Sequence, residues 1–127
     1  MSQLKLVDPT DPRVAIGRCW LAAFNNRDLD GLLELYTEDA VHTSPKLRDR
    51  RPETGGEVRG KVALRAWWAD CFARLPHLRY EERRIAVGEG VLMLVYLRTH
   101  PGEPDLLVAE SYDLREGKIC ASHVFHG

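Results

Sequence analysis

The sequence predicts an α+β fold, and three observations carry the prediction. Apolar residues recur at helical spacing through most of the first 75 positions. After Pro76 the chain turns to runs rich in valine, isoleucine, leucine and tyrosine, the residue types that strands favour. Short turns separate those runs, which implies an antiparallel meander. Helices first and strands afterwards place three N-terminal helices on one face of a curved, mainly antiparallel sheet.

The first helix begins at Asp11, a candidate N-cap, with Pro12 at the first helical position, where a missing N–H costs nothing. Ile16, Cys19, Trp20, Ala23 and Phe24 then follow helical spacing on one face, and Asn25–Asn26 ends it. Asp28 can cap a short second helix whose apolar stripe is Leu29, Leu32, Leu33 and Tyr36. "DAVHTSP" reads as a short strand stopped by Pro45. Residues 46–60 are expected as a loop, with Pro52, Gly55, Gly56 and Gly60 in it and part of it able to form a short hairpin arm. A third helix runs from about Lys61 to Leu75, with Leu64, Trp67, Trp68, Cys71, Phe72 and Leu75 as its apolar face. "LRYEERRIAVGEG", "VLMLVYLRTH", "DLLVAESYDLRE" and "KICASHVFH" are the strands of the meander, with "PGEP" and "EGK" as turns.

Bulk composition narrows the function. The 127 residues fit one domain, residues 1–127, long enough to bury a core without disulfides or a metal. Net charge is −1, from 18 basic and 19 acidic residues, which gives no pull toward nucleic acid or an anionic membrane. Cys19, Cys71 and Cys120 are odd in number, widely spaced and set among apolar residues, so all three are expected as buried free thiols in a reducing cytoplasm. No Cys-x-x-Cys pair is present, the N-terminus lacks a signal-peptide core, and no stretch is long enough to span a bilayer. There is no phosphate-binding glycine loop, nucleophile elbow or zinc motif. Any chemistry is therefore expected to be cofactor-independent acid–base work.

The stretch "AAFNNRDLDGLLELYTEDAVHTSP", followed by a glycine-containing loop and "VRGKVALRAWW", resembles the nuclear transport factor 2-like superfamily, which includes SnoaL-like polyketide cyclases and ketosteroid isomerases. The resemblance runs from about residue 11 onward. It implies a cystatin-like cone with a central pocket between sheet and helices, usually in a homodimer formed through the sheet. The isomerases of this group use a tyrosine in the first helix, an aspartate base in the short strand and a protonated aspartic acid in the meander. Those positions fall on Trp20, Ser44 and near Tyr112, and none matches in type. A serine cannot serve as the carboxylate base, so isomerisation by that triad is not expected.

Strand alternation sorts the remaining candidates, and the resemblance supplies the inward direction. Ala40, His42 and Ser44 share the inward face of the short strand. Leu106, Val108, Glu110, Tyr112 and Leu114 share it in the next-to-last strand, and Cys120, Ser122, Val124 and His126 in the last. Glu110, His42, Tyr112 and His126 are the candidate catalytic residues: the carboxyl handles a proton, and the others donate hydrogen bonds to a developing oxyanion. Trp20, Ser44, Trp67, Trp68 and Ser122 are the candidate ligand-binding residues, and the expected ligand is a small organic molecule.

Plainer readings stand beside these. Glu110 can instead be the ion-pair partner of Arg98 on the neighbouring strand. His42 can be a core histidine satisfied by the backbone, and each tryptophan can belong to the core. "KLRDRR" is either a solvated loop or a lid that attracts an anionic substrate. The competing function is a non-catalytic ligand-binding or dimerisation module of the same fold.

Overall fold

The computed structural model describes residues 8–126, the side chain of His126 excepted. Helix α1 (Pro12–Asn25) starts where the sequence places it, with the Asp11 carboxylate accepting the Arg13 N–H at 2.8 Å. Its buried face is rotated from the expected one. Val14, Gly17, Trp20, Leu21 and Phe24 are buried, whereas Cys19 is exposed. The cause is Gly17, which packs against the sheet so closely that a Cβ there would lie 3.2 Å from the side chains of Leu92 and Leu94. The contact line runs through this glycine, and a count of large apolar residues misses it.

Helix α2 (Leu29–Glu34) is capped by Asp28, which accepts the Gly31 N–H at 3.0 Å. Strand β1 (Tyr36–Thr43) follows, so Tyr36 opens a strand instead of extending the helical stripe. The strand stops one residue short of Ser44. Ser44 instead caps helix α3 (Pro45–Arg50), accepting the Lys46 N–H at 3.2 Å, and Pro45 takes the first helical position. The expected loop thus holds a helix, which makes four helices among the described residues instead of three, then a 3₁₀ turn at Pro52–Thr54 and strand β2 (Glu57–Arg59). β2 is the hairpin arm, antiparallel to β1 with His42 opposite Val58.

Helix α4 (Gly60–Arg74) leads into the meander β3 (Arg79–Gly88), β4 (Val91–Thr99), β5 (Leu106–Arg115) and β6 (Lys118–His126). The six strands are ordered β2-β1-β6-β5-β4-β3, and only the β1–β6 pairing is parallel. Helix α1 lies against β3 and β4, and α4 lies against β1. Arg27 locks this arrangement at one end, its guanidinium donating to the carbonyls of Leu75 and Leu78 beyond α4.

A bulge corrects the alternation in β6. Asp113 faces Ala121 but Leu114 faces Ile119, so Cys120 is the extra residue. Ile119 turns inward and is 0% exposed, while Cys120 leaves the inward face and rests half-buried against the Asp113 carbonyl. Of the three thiols only Cys71 is buried. Among the described residues no helix is long and apolar enough to cross a membrane, and no cluster of ligating side chains could hold a metal ion.

Candidate functional site

The concave face of the sheet and helices α1, α3 and α4 enclose a cavity of about 420 Å³. Trp20, Phe24, Tyr80 and Tyr96 form an aromatic wall, with Phe24 and Tyr80 stacked at 4.1 Å and Tyr80 and Tyr96 at 4.2 Å between ring centroids. Trp67, Trp68 and Cys71 of α4 form the opposite wall. His42, Ser44 and Glu110 supply polar groups, and Lys46, Arg50, Arg74, Arg98, Asp49 and Glu103 add charged ones.

Of the candidates named from sequence, Trp20, His42, Ser44, Trp67, Trp68 and Glu110 lie on the cavity wall. Tyr112 and Ser122 lie behind it, fully buried. The backbone of His126 pairs with Val108, and its side chain falls outside the described residues.

Glu110 is the one buried carboxyl in the site, 1% exposed. Its Oε1 accepts the Tyr96 hydroxyl at 2.8 Å, and its Oε2 is occluded with no hydrogen-bond partner among the described residues. Arg98 does not reach it. The β4–β5 register sets Arg98 opposite Leu106 and Leu94 opposite Glu110, and Arg98 Nη1 bonds Glu103 Oε1 at 2.8 Å instead. With no cation among the described residues beside it, burial pushes the Glu110 pKa up to about 8, against smaller lowering effects of the Tyr96 and Tyr112 hydroxyls. The Tyr112 hydroxyl itself is buried and does not meet hydrogen-bond geometry with any acceptor among the described residues.

His42 Nδ1 sits 2.7 Å from Ser122 Oγ and 4.0 Å from Glu110 Oε2. Burial, with a smaller contribution from His123, pushes its pKa down to about 3, so the ring is neutral. Its tautomer follows from the donors behind it. Trp20 Nε1 can only donate, and it donates to the Tyr36 hydroxyl at 3.1 Å. Tyr36 then gives its proton to Ser122 Oγ at 3.2 Å, and Ser122 gives its own to His42 Nδ1. Only this direction leaves no hydroxyl proton without an acceptor, and it puts the imidazole proton on Nε2, which has no hydrogen-bond partner among the described residues. At neutral pH the site thus holds an un-ionised carboxylic acid and a neutral imidazole N–H donor.

Tyr96 and Tyr36 are the functional neighbours that the sequence reading left out. Alternation alone finds Tyr96, because Leu92, Leu94, Tyr96 and Arg98 are all buried on one face of β4. Tyr36 is hidden by its place at the junction of a helical stripe and a strand.

The model of the SnoaL-like domain family matches residues 18–122. No curated protein matches the chain. Among solved structures, a SnoaL-like protein of unknown function from Burkholderia thailandensis superposes with a TM-score of 0.84 at 22% identity, covering 93% of this chain and 96% of the other. TerC, co-crystallised with polyporic acid, gives 0.79 at 19% identity with 92% of both chains covered. A candidate polyketide cyclase from Sinorhizobium meliloti gives 0.74 at 19% identity, covering 87% of this chain and 94% of the other. At these identities the likeness is one of fold.

Proposed function

The chain belongs to the SnoaL-like domain family, and from that premise we propose that its cavity binds a small, largely apolar organic molecule and performs cofactor-independent acid–base chemistry on it, of isomerase, cyclase or hydrolase type, in a cytoplasmic homodimer. The observation that carries the reading is the Glu110 carboxyl, buried on the cavity wall with, among the described residues, Tyr96 as its one hydrogen-bond partner and no cation to neutralise it. Protein cores rarely hold such a group unless it is used. That a fold relative was crystallised with polyporic acid supports an organic ligand.

In the proposed chemistry, the His42 Nε2–H polarises an oxygen of the ligand and stabilises the negative charge that develops there as ionised Glu110 takes a proton from the neighbouring carbon; the protonated Glu110 then returns that proton. This donor is neutral, so it enters an apolar site without the desolvation cost of an ion. With a pKa near 8, about one-tenth of Glu110 is ionised at pH 7, enough to take a proton from carbon and return it. The resemblance puts the positions of the ketosteroid isomerase triad on Trp20, Ser44 and near Tyr112, none of which matches in type, so that enzyme's mechanism is not part of the proposal.

Hydrogen–deuterium exchange at the α-carbons of 2-tetralone in D₂O, followed by proton NMR, tests the proton-transfer role without knowledge of the natural substrate. The wild type should accelerate exchange, and Glu110→Gln should cut the acceleration on the order of a hundredfold or more. Equal rates for the two proteins would remove Glu110 from the chemistry. No acceleration by either would favour a ligand-binding module.

The dimer rests on the outer face of the sheet, where Leu107 and Phe125 are each 54% exposed and Met93 is 39% exposed. Phe125→Glu is expected to convert a dimer to a monomer in sedimentation equilibrium. A wild type that is already monomeric at micromolar concentration would overturn the assembly.

A further inference from the structure

We propose that the ligand carries a carboxylate, that Arg98 anchors it, and that Glu103 is an intramolecular stand-in which the ligand's carboxylate displaces. The inference rests on the pocket reading above and assigns its substrate class: a flat apolar body with an oxygen at one end and an anionic group at the other.

Arg98 belongs to the inward face of β4 and is 6% exposed. A buried guanidinium has five N–H donors to satisfy and a charge to neutralise. Among the described residues its side chain makes one hydrogen bond, to Glu103. Glu103 is an unusual partner for a buried cation. It sits outside the strands, on the turn between β4 and β5, with its side chain 37% exposed. Its side chain reaches the solvent, so a ligand carboxylate that takes over the Arg98 charge can displace it into water.

The surroundings supply more positive charge than Glu103 absorbs. Its carboxylate is held below the ordinary range first by Arg98, with further lowering from His100 and Lys46. Arg74 and Arg50 also line the cavity, and they share a single acid, Asp70, at 2.7 and 3.3 Å. The cavity lining holds Lys46, Arg50, Arg74 and Arg98 against Asp49, Glu103 and the protonated Glu110, a basic excess in a chain whose net charge is −1. Glu110 lies deeper in the cavity. Arg98 and Leu94, which faces Glu110, are four residues apart on β4, a strand length of about 14 Å. A two-ring molecule can therefore bring an oxygen to Glu110 and a carboxylate to Arg98 at once.

Titration calorimetry with 6-hydroxy-2-naphthoate and its neutral amide, at one pH and ionic strength, tests the assignment on the wild type, Arg98→Met and Glu103→Gln. The wild type should bind the acid about tenfold more tightly than the amide, the size expected of a charge-assisted hydrogen bond. Arg98→Met should bring the ratio close to one. Glu103→Gln, on an exposed turn that tolerates change, should tighten the acid several-fold and leave the amide unaltered. Equal affinities in the wild type, or a ratio that survives Arg98→Met, overturn the anchor and leave the pocket reading standing. An acid affinity unmoved by Glu103→Gln overturns the displacement. Binding of neither probe overturns both the anchor and the pocket.

Discussion

Glu110→Gln is expected to abolish the loss of stability on the alkaline side and make the protein more stable than the wild type above about pH 7. Folded Glu110 titrates near 8, against an ordinary value of 4.5. Between those values the folded state holds a proton that the unfolded state has released. Stability therefore falls as pH rises through this window, and the full contribution is present only below 4.5. The loss is on the order of 3–5 kcal/mol by pH 8, a large share of a small domain's stability. Glutamine cannot ionise, and its carbonyl can still accept the Tyr96 hydroxyl. It leaves an amide N–H in the place of Oε2, at a cost of about 1–3 kcal/mol at every pH.

His42 acts in the opposite direction. Its folded pKa is near 3 against 6.5 in the unfolded chain, so stability falls as pH drops from 6.5 toward 3. Between 4.5 and 6.5 the two slopes oppose each other, which gives the wild type a plateau there and a decline on either side. Removing the carboxyl leaves only the imidazole, and the profile should then rise to about pH 6.5 and stay flat. Urea midpoints measured from pH 4 to 9 on both proteins check this. Parallel profiles would mean that Glu110 is not held protonated, and the acid–base reading would lose its physical basis.

How much of this was legible in the sequence depends on what kind of signal each feature leaves. The caps at Asp11 and Asp28 were legible because a capping carboxylate acts within three residues of itself. The faces that His42 and Glu110 share with their strand neighbours were legible because a strand has a period of two, and the family resemblance supplied the inward direction. The face of α1 was misjudged because Gly17 marks a close approach to Leu92 and Leu94, and those residues are distant in sequence. Helix α3 was missed because Ser44 and Pro45 are equally good at ending a strand and at starting a helix. The inward turn of Ile119 depends on a bulge at Cys120, which no local pattern announces. Likewise the partner of Arg98 could not be read from alternation. Adjacency of strands is predictable, but the register that sets Arg98 beside Leu106 and frees it for Glu103 is set by the turn.

Trp20→Ala should have the other large effect, and it links the core to the chemistry. Trp20 is 1% exposed, with its ring 5.4 Å from Phe24, 5.4 Å from Tyr112, and 5.8 Å from Tyr80 and Tyr96. Truncation removes this packing and should cost about 3–5 kcal/mol. Trp20→Phe keeps a ring in place and removes only the indole donor to Tyr36, so its cost should be nearer 1 kcal/mol. The two variants should also part in the titration of Glu110. Tyr96 and Tyr112, which lean on Trp20, are the rings that face the Glu110 carboxyl. Opening a void beside them admits water to a group whose pKa is raised by dryness, so Trp20→Ala should shift the alkaline limb to lower pH. Trp20→Phe should leave that limb where it is. A limb at the same pH in all three proteins would show that burial of Glu110 does not depend on the aromatic wall, and the tryptophan would then be a core residue alone.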